Sequence, residues 1–158
     1  MATVIAVFAI IFYSLSSFRQ YQTIADRSAD NRKQVILLGS IAVFLHGISW
    51  FTQLSDNNGI NFSFFNVGSL ISLVIGIMIL LSSLKKPLEN LFLGVFPMAA
   101  VLLALNLFVN SNDQAVTITD TGLAAHIILS IMAYSILTIA AFQAILLIIY
   151  KQKTAYEI

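Results

Sequence analysis

Residues 122–150, GLAAHIILSIMAYSILTIAAFQAILLIIY, decide how the rest of the chain is read. The stretch follows a turn-like Asp120-Thr121, closes at Lys151 and Lys153, and contains a single imidazole, that of His126. A window this long and this apolar predicts a transmembrane helix. On a helical wheel His126 shares a sector with Ser130, Ala133, Tyr134, Ala141 and Ala144, while Ile128, Ile131, Met132, Ile139, Phe142 and Leu146 take the other side. The small and polar face is therefore expected to meet protein and the bulky one lipid. An imidazole inside hydrocarbon needs something to bind it, which makes His126 a functional candidate.

The composition around this stretch agrees with a membrane setting. Of 158 residues 59% are hydrophobic and only 9% charged, outside the range of soluble domains and typical of polytopic membrane proteins. A formal net charge of +1, with no basic run interleaved with aromatics, sets nucleic acid aside as a partner. The chain has no cysteine, so it forms no disulfide, no thiolate metal site and no thioether link to haem.

Moving outward, four more apolar runs appear. The first, about 2–18, has no Lys or Arg before it, and Arg19, Arg27, Arg32 and Lys33 after it. That charge order argues for a retained helix rather than a signal peptide. The polar stretch from Arg19 to Gln34 reads as a loop, in part helical. The second run, 35–54, carries His46 in its outer half and Trp50 near its outer end, where an indole suits the interface. Around His46 the wheel collects Gly39, Ala42, Ser49, Trp50 and Gln53, with Leu37, Ile41, Phe44, Ile48 and Phe51 opposite. The segment that follows holds Phe62, Phe64 and Phe65 and is expected to lie on the outer surface. The third run, 66–84, offers Gly68, Ser69, Ser72 and Gly76 for close helix contact and ends at Lys85-Lys86-Pro87. In the fourth, 89–109, Pro97 follows Gly94 by three residues and is expected to kink the helix. An outer loop with Asp113 and Asp120 leads into the last span, with Asp120 or Thr121 as its N-cap.

Lys and Arg in the successive connections number four, none, two, none and two. This alternation predicts an all-α, polytopic membrane helix bundle of five transmembrane helices, forming a single transmembrane domain with its N-terminus out and C-terminus in.

No Asp, Glu, Lys or Arg lies in the interior of a span, which argues against a carboxylate proton relay, a voltage sensor or a charge-lined pore. The two histidines are the candidates that remain. Both fall in the outer half of the membrane, at depths that differ by roughly 6 Å at 1.5 Å per residue, and each sits on a small-residue face. Facing one another across a bundle, two neutral imidazoles supply the axial ligands of a haem. The plainer reading is that each hydrogen-bonds a neighbouring Ser, Tyr or carbonyl. A copper or binuclear site lacks the Cys or carboxylate to complete its shell, and Met78, Met98 and Met132 read as packing. No hydrolase arrangement is present, and no enzyme is expected.

The patterns VFLHGISW (43–50) and NFSFFNVGSLISL (61–73), with the final helix, resemble the cytochrome c assembly protein family of haem-handling membrane proteins, nearest its short bacterial inner-membrane branch. The likeness spans nearly the whole chain and is most specific at NVGSL and around His126, Ser130 and Tyr134. It implies a bundle in a bacterial inner membrane that binds or delivers haem during cytochrome c biogenesis. His46 and His126 are the matching histidines and would be axial ligands of the haem iron, with Trp50, Phe64, Ser130 and Tyr134 around the haem. Lipid, haem and other cytochrome assembly proteins are the partners implied. Branches that synthesise or export haem carry a tryptophan-rich outer loop. This chain has only Trp50, so cytochrome c synthase activity is not expected. The branch also continues for further spans, so the resemblance implies a chain without the later helices. The alternative is a structural or regulatory membrane subunit that acts through helix contacts at positions such as Gly68 and Gly76.

Overall fold

The computed structural model describes residues 1–25, 31–56, 63–85, 88–109 and 120–156. Within them lie five helices long and apolar enough to cross a membrane: α1 (Ala2–Ala25), α2 (Arg32–Asp56), α3 (Phe64–Lys85), α4 (Phe92–Phe108, preceded by a 3-10 turn at Glu89–Leu91) and α5 (Thr121–Tyr156). The described residues contain no strand. The five expected spans are thus present. The expected outer segment, the Lys86-Pro87 turn and the loop before Asp120 fall largely or wholly outside the described residues.

Boundaries move where polar side chains find partners. The helix α1 runs on past Phe18 because Gln20 is buried there and donates from Nε2 to Asn90 Oδ1 at 2.8 Å. Asp120 caps α5, its Oδ1 accepting from the backbone N–H of Gly122 at 2.7 Å and of Leu123 at 3.3 Å, as an N-cap acid should. The helix α4 continues through Pro97. Proline has no N–H to offer the carbonyl four residues earlier, and the carbonyl so released, that of Leu93, accepts the Ser17 hydroxyl of α1 at 3.5 Å.

The helix α1 packs against α2 and α4, and α3 joins α2 and α4 on the other side. The core between them is built from Tyr13, Val35, Val43, Ile75, Phe92 and Phe96 among others. Phe92 and Phe96 stack with ring centroids 4.3 Å apart, and Gly39 lets the Phe96 ring onto α2: a Cβ there would lie 2.8 Å from the ring edge. Each end of this four-helix unit is tied by polar groups. At the basic end Arg32 pairs through Nε with Glu89 and donates from Nη2 to the Ser83 carbonyl at 2.9 Å, while the Ser16 hydroxyl donates to the Val35 carbonyl at 2.9 Å. At the other end Ser49 donates to the Ala2 carbonyl at 3.2 Å and Asn106 to Gln53 at 3.3 Å.

The fifth helix stands apart. It packs mainly on α3, and only 11% of its most apolar stretch is buried, against 28–39% in the other four.

Candidate functional site

The two histidines have opposite surroundings. His46 projects from α2 into the centre of the bundle, with 0% of its surface exposed. Its Nδ1 lies 3.2 Å from Tyr13 Oη on α1 and its Nε2 lies 2.9 Å from Ser69 Oγ on α3. The Tyr13 ring meets the imidazole edge-on, at a centroid distance of 5.9 Å and an angle of 90°. This site exists because small residues open it: Ala6, Ala9, Ser16 and Ser17 line the buried face of α1 with Tyr13, Ala42 and Ser49 flank His46, and a Cβ on Gly76 would sit 3.3 Å from Val43 and 3.5 Å from Tyr13 Oη. Of the sector expected around His46, Gly39, Ala42 and Ser49 are buried and Trp50 and Gln53 half-buried, while opposite it Leu37, Phe44 and Phe51 are exposed and Ile41 and Ile48 half-buried.

On α5 the expected faces are in part exchanged, although Ile128 and Met132 of the expected lipid side are exposed as expected. The side chains that meet the bundle are Ile131, Ser135, Ile139, Phe142 and Leu146, whereas His126, Ala133, Tyr134, Ala141 and Ala144 are exposed and Ser130 is half-buried. Besides its packing on α3, one close contact on this face is made to α4. Gly94 of α4 leaves a hollow, and the Phe142 ring fills it so closely that a Cβ on Gly94 would be 2.9 Å from Cε1. The small residue of this contact belongs to α4, so α5 supplies the large one. Between the alanines of one face and the aliphatic side chains of the other lipid discriminates little, so packing weighs heavily in the choice.

The residues expected around a haem are therefore not gathered. His46 is enclosed, Trp50 is half-buried against the core, Phe64 is 80% exposed in edge-to-face contact with Phe65, and Tyr134 is exposed. The Ser130 hydroxyl donates to the carbonyl of His126 at 2.8 Å rather than to its ring. These positions do not fit a haem held between both imidazoles: the His46 nitrogens are taken by Tyr13 and Ser69, and His126 lies on the face of α5 turned away from the bundle. Among the described residues no group of three or more His, Cys, Asp or Glu side chains is placed to hold a metal ion.

Tyr13 and Ser69 were not singled out as partners of His46 by the sequence reading, although both carry a signal. Tyr13 falls in the Ala6, Ala9, Tyr13, Ser16, Gln20 series at helical spacing, and Ser69 belongs to the small-residue set of the third span. An apolar groove of about 400 Å³ also opens between α2 and α3, lined by Val43, Phe44, Gly47, Phe51, Leu73 and Ile77. It contains no group capable of chemistry.

A five-helix membrane bundle with one sealed and one open histidine is the class that the geometry defines. The model of the cytochrome C assembly protein family matches residues 34–157, and the chain belongs to that family. It is 29% identical over 144 residues to Inner membrane protein YpjD of Escherichia coli strain K12, covering 90% of this chain and 55% of that protein, and the same values hold for the proteins of that name in strains O6:H1 and O157:H7. The chain thus spans about half the length of these curated relatives. No solved structure matches it.

Proposed function

We propose that this chain is a non-catalytic, inner-membrane component that handles haem during cytochrome c biogenesis, and that His126 is the side chain it offers to haem. One observation carries the choice of residue: the His126 imidazole is exposed on the open face of α5, and the neighbouring Ser130 hydroxyl donates to the His126 main-chain carbonyl rather than engaging the ring. An imidazole so placed is free to act as an axial ligand to haem iron. Tyr134 is exposed about two turns further along the same side of α5, and small side chains at Ala133, Ala141 and Ala144 keep the rest of that face low enough for another helix to approach. Family membership supports the haem reading, and the name of the relative supports the inner membrane. Other cytochrome assembly proteins are the acceptors and donors this role requires.

Titration of the detergent-purified full chain with hemin tests the proposal. A Soret band that His126→Ala abolishes and His46→Ala leaves in place is the expected result. Absence of a band, or a band indifferent to His126→Ala, overturns it.

A second reading is a membrane subunit that works through helix contacts without a cofactor, and the sparse burial of α5 favours it. Gly68 and Gly76 are not its surface. A Cβ at Gly68 would meet Leu102 at 3.5 Å and one at Gly76 would meet Val43 at 3.3 Å, both inside the bundle. The open face of α5 takes their place: a protein partner lost on Ala144→Phe, with hemin binding absent from the outset, selects this reading.

A further inference from the structure

We propose that Tyr13, His46 and Ser69 form a proton-ordered hydrogen-bond relay that joins α1, α2 and α3, with His46 held as its Nε2–H tautomer and closed to iron at both nitrogens. The proposal goes beyond the haem reading and does not depend on it, since it concerns the histidine which that reading leaves aside.

The argument is an inventory of protons. A neutral imidazole has one N–H and one lone-pair nitrogen, and each hydroxyl has one O–H. Three protons therefore serve two contacts, the 3.2 Å approach of Tyr13 Oη to Nδ1 and the 2.9 Å approach of Ser69 Oγ to Nε2. Only one hydroxyl can donate to the ring, so the other must accept from it and place its own hydrogen elsewhere.

The bond that the structure gives Ser69 Oγ is the one to Nε2, but a serine on a helix has, within reach of a side-chain rotation, an alternative acceptor in its own backbone. Ser14, Ser40, Ser83 and Ser135 of this chain all use a carbonyl three or four residues back, at 2.7–2.9 Å. A phenol oxygen stands too far from its own backbone for that. Among the described residues, the only hydrogen-bond partner of Tyr13 Oη is His46. Both residues are 0% exposed, so a phenolic O–H that did not donate to Nδ1 would be buried without an acceptor, the costlier outcome. Tyr13 is thus the donor, Nδ1 the acceptor, and the ring proton resides on Nε2 and points to Ser69.

In this state neither nitrogen presents a lone pair to a metal. Ligation through Nε2 would require the proton to move to Nδ1, the Tyr13 hydroxyl to turn away and Ser69 to withdraw. The relay instead makes His46 the point at which the first three helices are fixed in rotation and depth.

Nitrogen-15 NMR of the full chain in lipid bilayers, labelled at histidine, tests this directly, because the chain has two histidines and His126→Ala assigns them. The expected spectrum has a protonated Nε2 and a hydrogen-bonded, unprotonated Nδ1 for His46. Tyr13→Phe should move the Nδ1 resonance toward that of a free lone pair and Ser69→Ala should move the Nε2–H resonance, each leaving the other nitrogen nearly in place. Hemin should leave the His46 signals unchanged. A protonated Nδ1 in the wild-type chain overturns the assignment, as does a His46 signal displaced or broadened by hemin. Hemin effects on His126 bear on the haem proposal alone, so the two fail separately.

Discussion

The second and fifth helices pose the same sequence problem, a histidine on a small-residue stripe with bulky residues opposite, and the protein solves it in opposite ways. On α2 the stripe faces inward and His46 is sealed by Tyr13 and Ser69. On α5 the stripe faces outward and His126 is open. The difference is set by the neighbours. Next to His46 the facing helices supply a phenol and a hydroxyl that an imidazole can join, so polar satisfaction and close packing favour one orientation. Next to α5, which packs mainly on α3, α4 offers a hollow over Gly94, and an aromatic ring fills it better than alanine. A small-residue stripe thus marks a surface capable of close approach, and which side is used depends on where the partner has room.

The largest expected effect separates the two histidines by stability. His46→Ala removes a fully buried ring and leaves two hydroxyls without their partner, and about 3–5 kcal/mol should be lost from the cavity and the broken bonds together. His126→Ala removes an exposed ring and should shift stability by no more than ~0.5 kcal/mol. Unfolding of the two variants in mixed micelles checks this. Equal losses would mean that His126 is covered in the folded protein and that the contrast is false.

A smaller effect, expected at Gly39 and Gly94, distinguishes a rigid contact from a yielding one. Gly39→Ala drives a methyl to within 2.8 Å of the buried Phe96 ring, which is held by Phe92 and Tyr13 and has nowhere to go, so overpacking should cost about 1–3 kcal/mol. Gly94→Ala meets Phe142 at 2.9 Å, but that ring belongs to the sparsely packed α5, which can shift. The expected outcome is faster hydrogen exchange in α5 with little change in α1 to α4. Uniform loss of protection across all five helices would show that α5 is integral to the bundle.

Much of this was legible in the sequence, and the limit has a physical cause. Five spans follow from apolar windows separated by polar connections, and the Asp120 cap follows from its chemistry. The inward face of α2 was also readable, because Gly39, Ala42, His46 and Ser49 repeat at helical spacing. The face of α5 was not, since a helical wheel describes one helix, and the surfaces that α5 packs on, α3 and the hollow at Gly94 of α4, lie on others. The pairing of His46 with Tyr13 and Ser69 required a tertiary contact between residues 33 and 23 positions away. Similar depth for the two histidines was a necessary condition for a shared haem but said nothing about rotation about the helix axis.

The Arg32 contact at the basic end is expected to have an effect of about 1 kcal/mol. Arg32 reaches Glu89 and the Ser83 carbonyl at once, a fork that lysine cannot reproduce. Its side chain is 48% exposed while that of Glu89 is 10% exposed, so solvent weakens the pair well below a buried one. Arg32→Lys should therefore lower stability by ~1 kcal/mol and Glu89→Gln by a similar amount, with the double variant less than additive because one contact is being removed twice. Strict additivity, measured by a double-mutant cycle, would show that the charges act independently.

The smallest effect is expected at Gly47, one position from His46 and in contrast to it. A Cβ built there meets nothing within 4 Å, because Gly47 lines the groove between α2 and α3. Replacing it with alanine removes the backbone-entropy penalty of a helical glycine without disturbing a neighbour, and a gain of up to ~1 kcal/mol is expected. Adjacent positions on one turn of α2 should thus respond with opposite signs: loss at His46, where three helices converge, and gain at Gly47, where two of them part. A loss at Gly47 would mean that the groove closes around that glycine in the folded membrane protein, and the sealed region around His46 would then extend further toward lipid than its burial indicates.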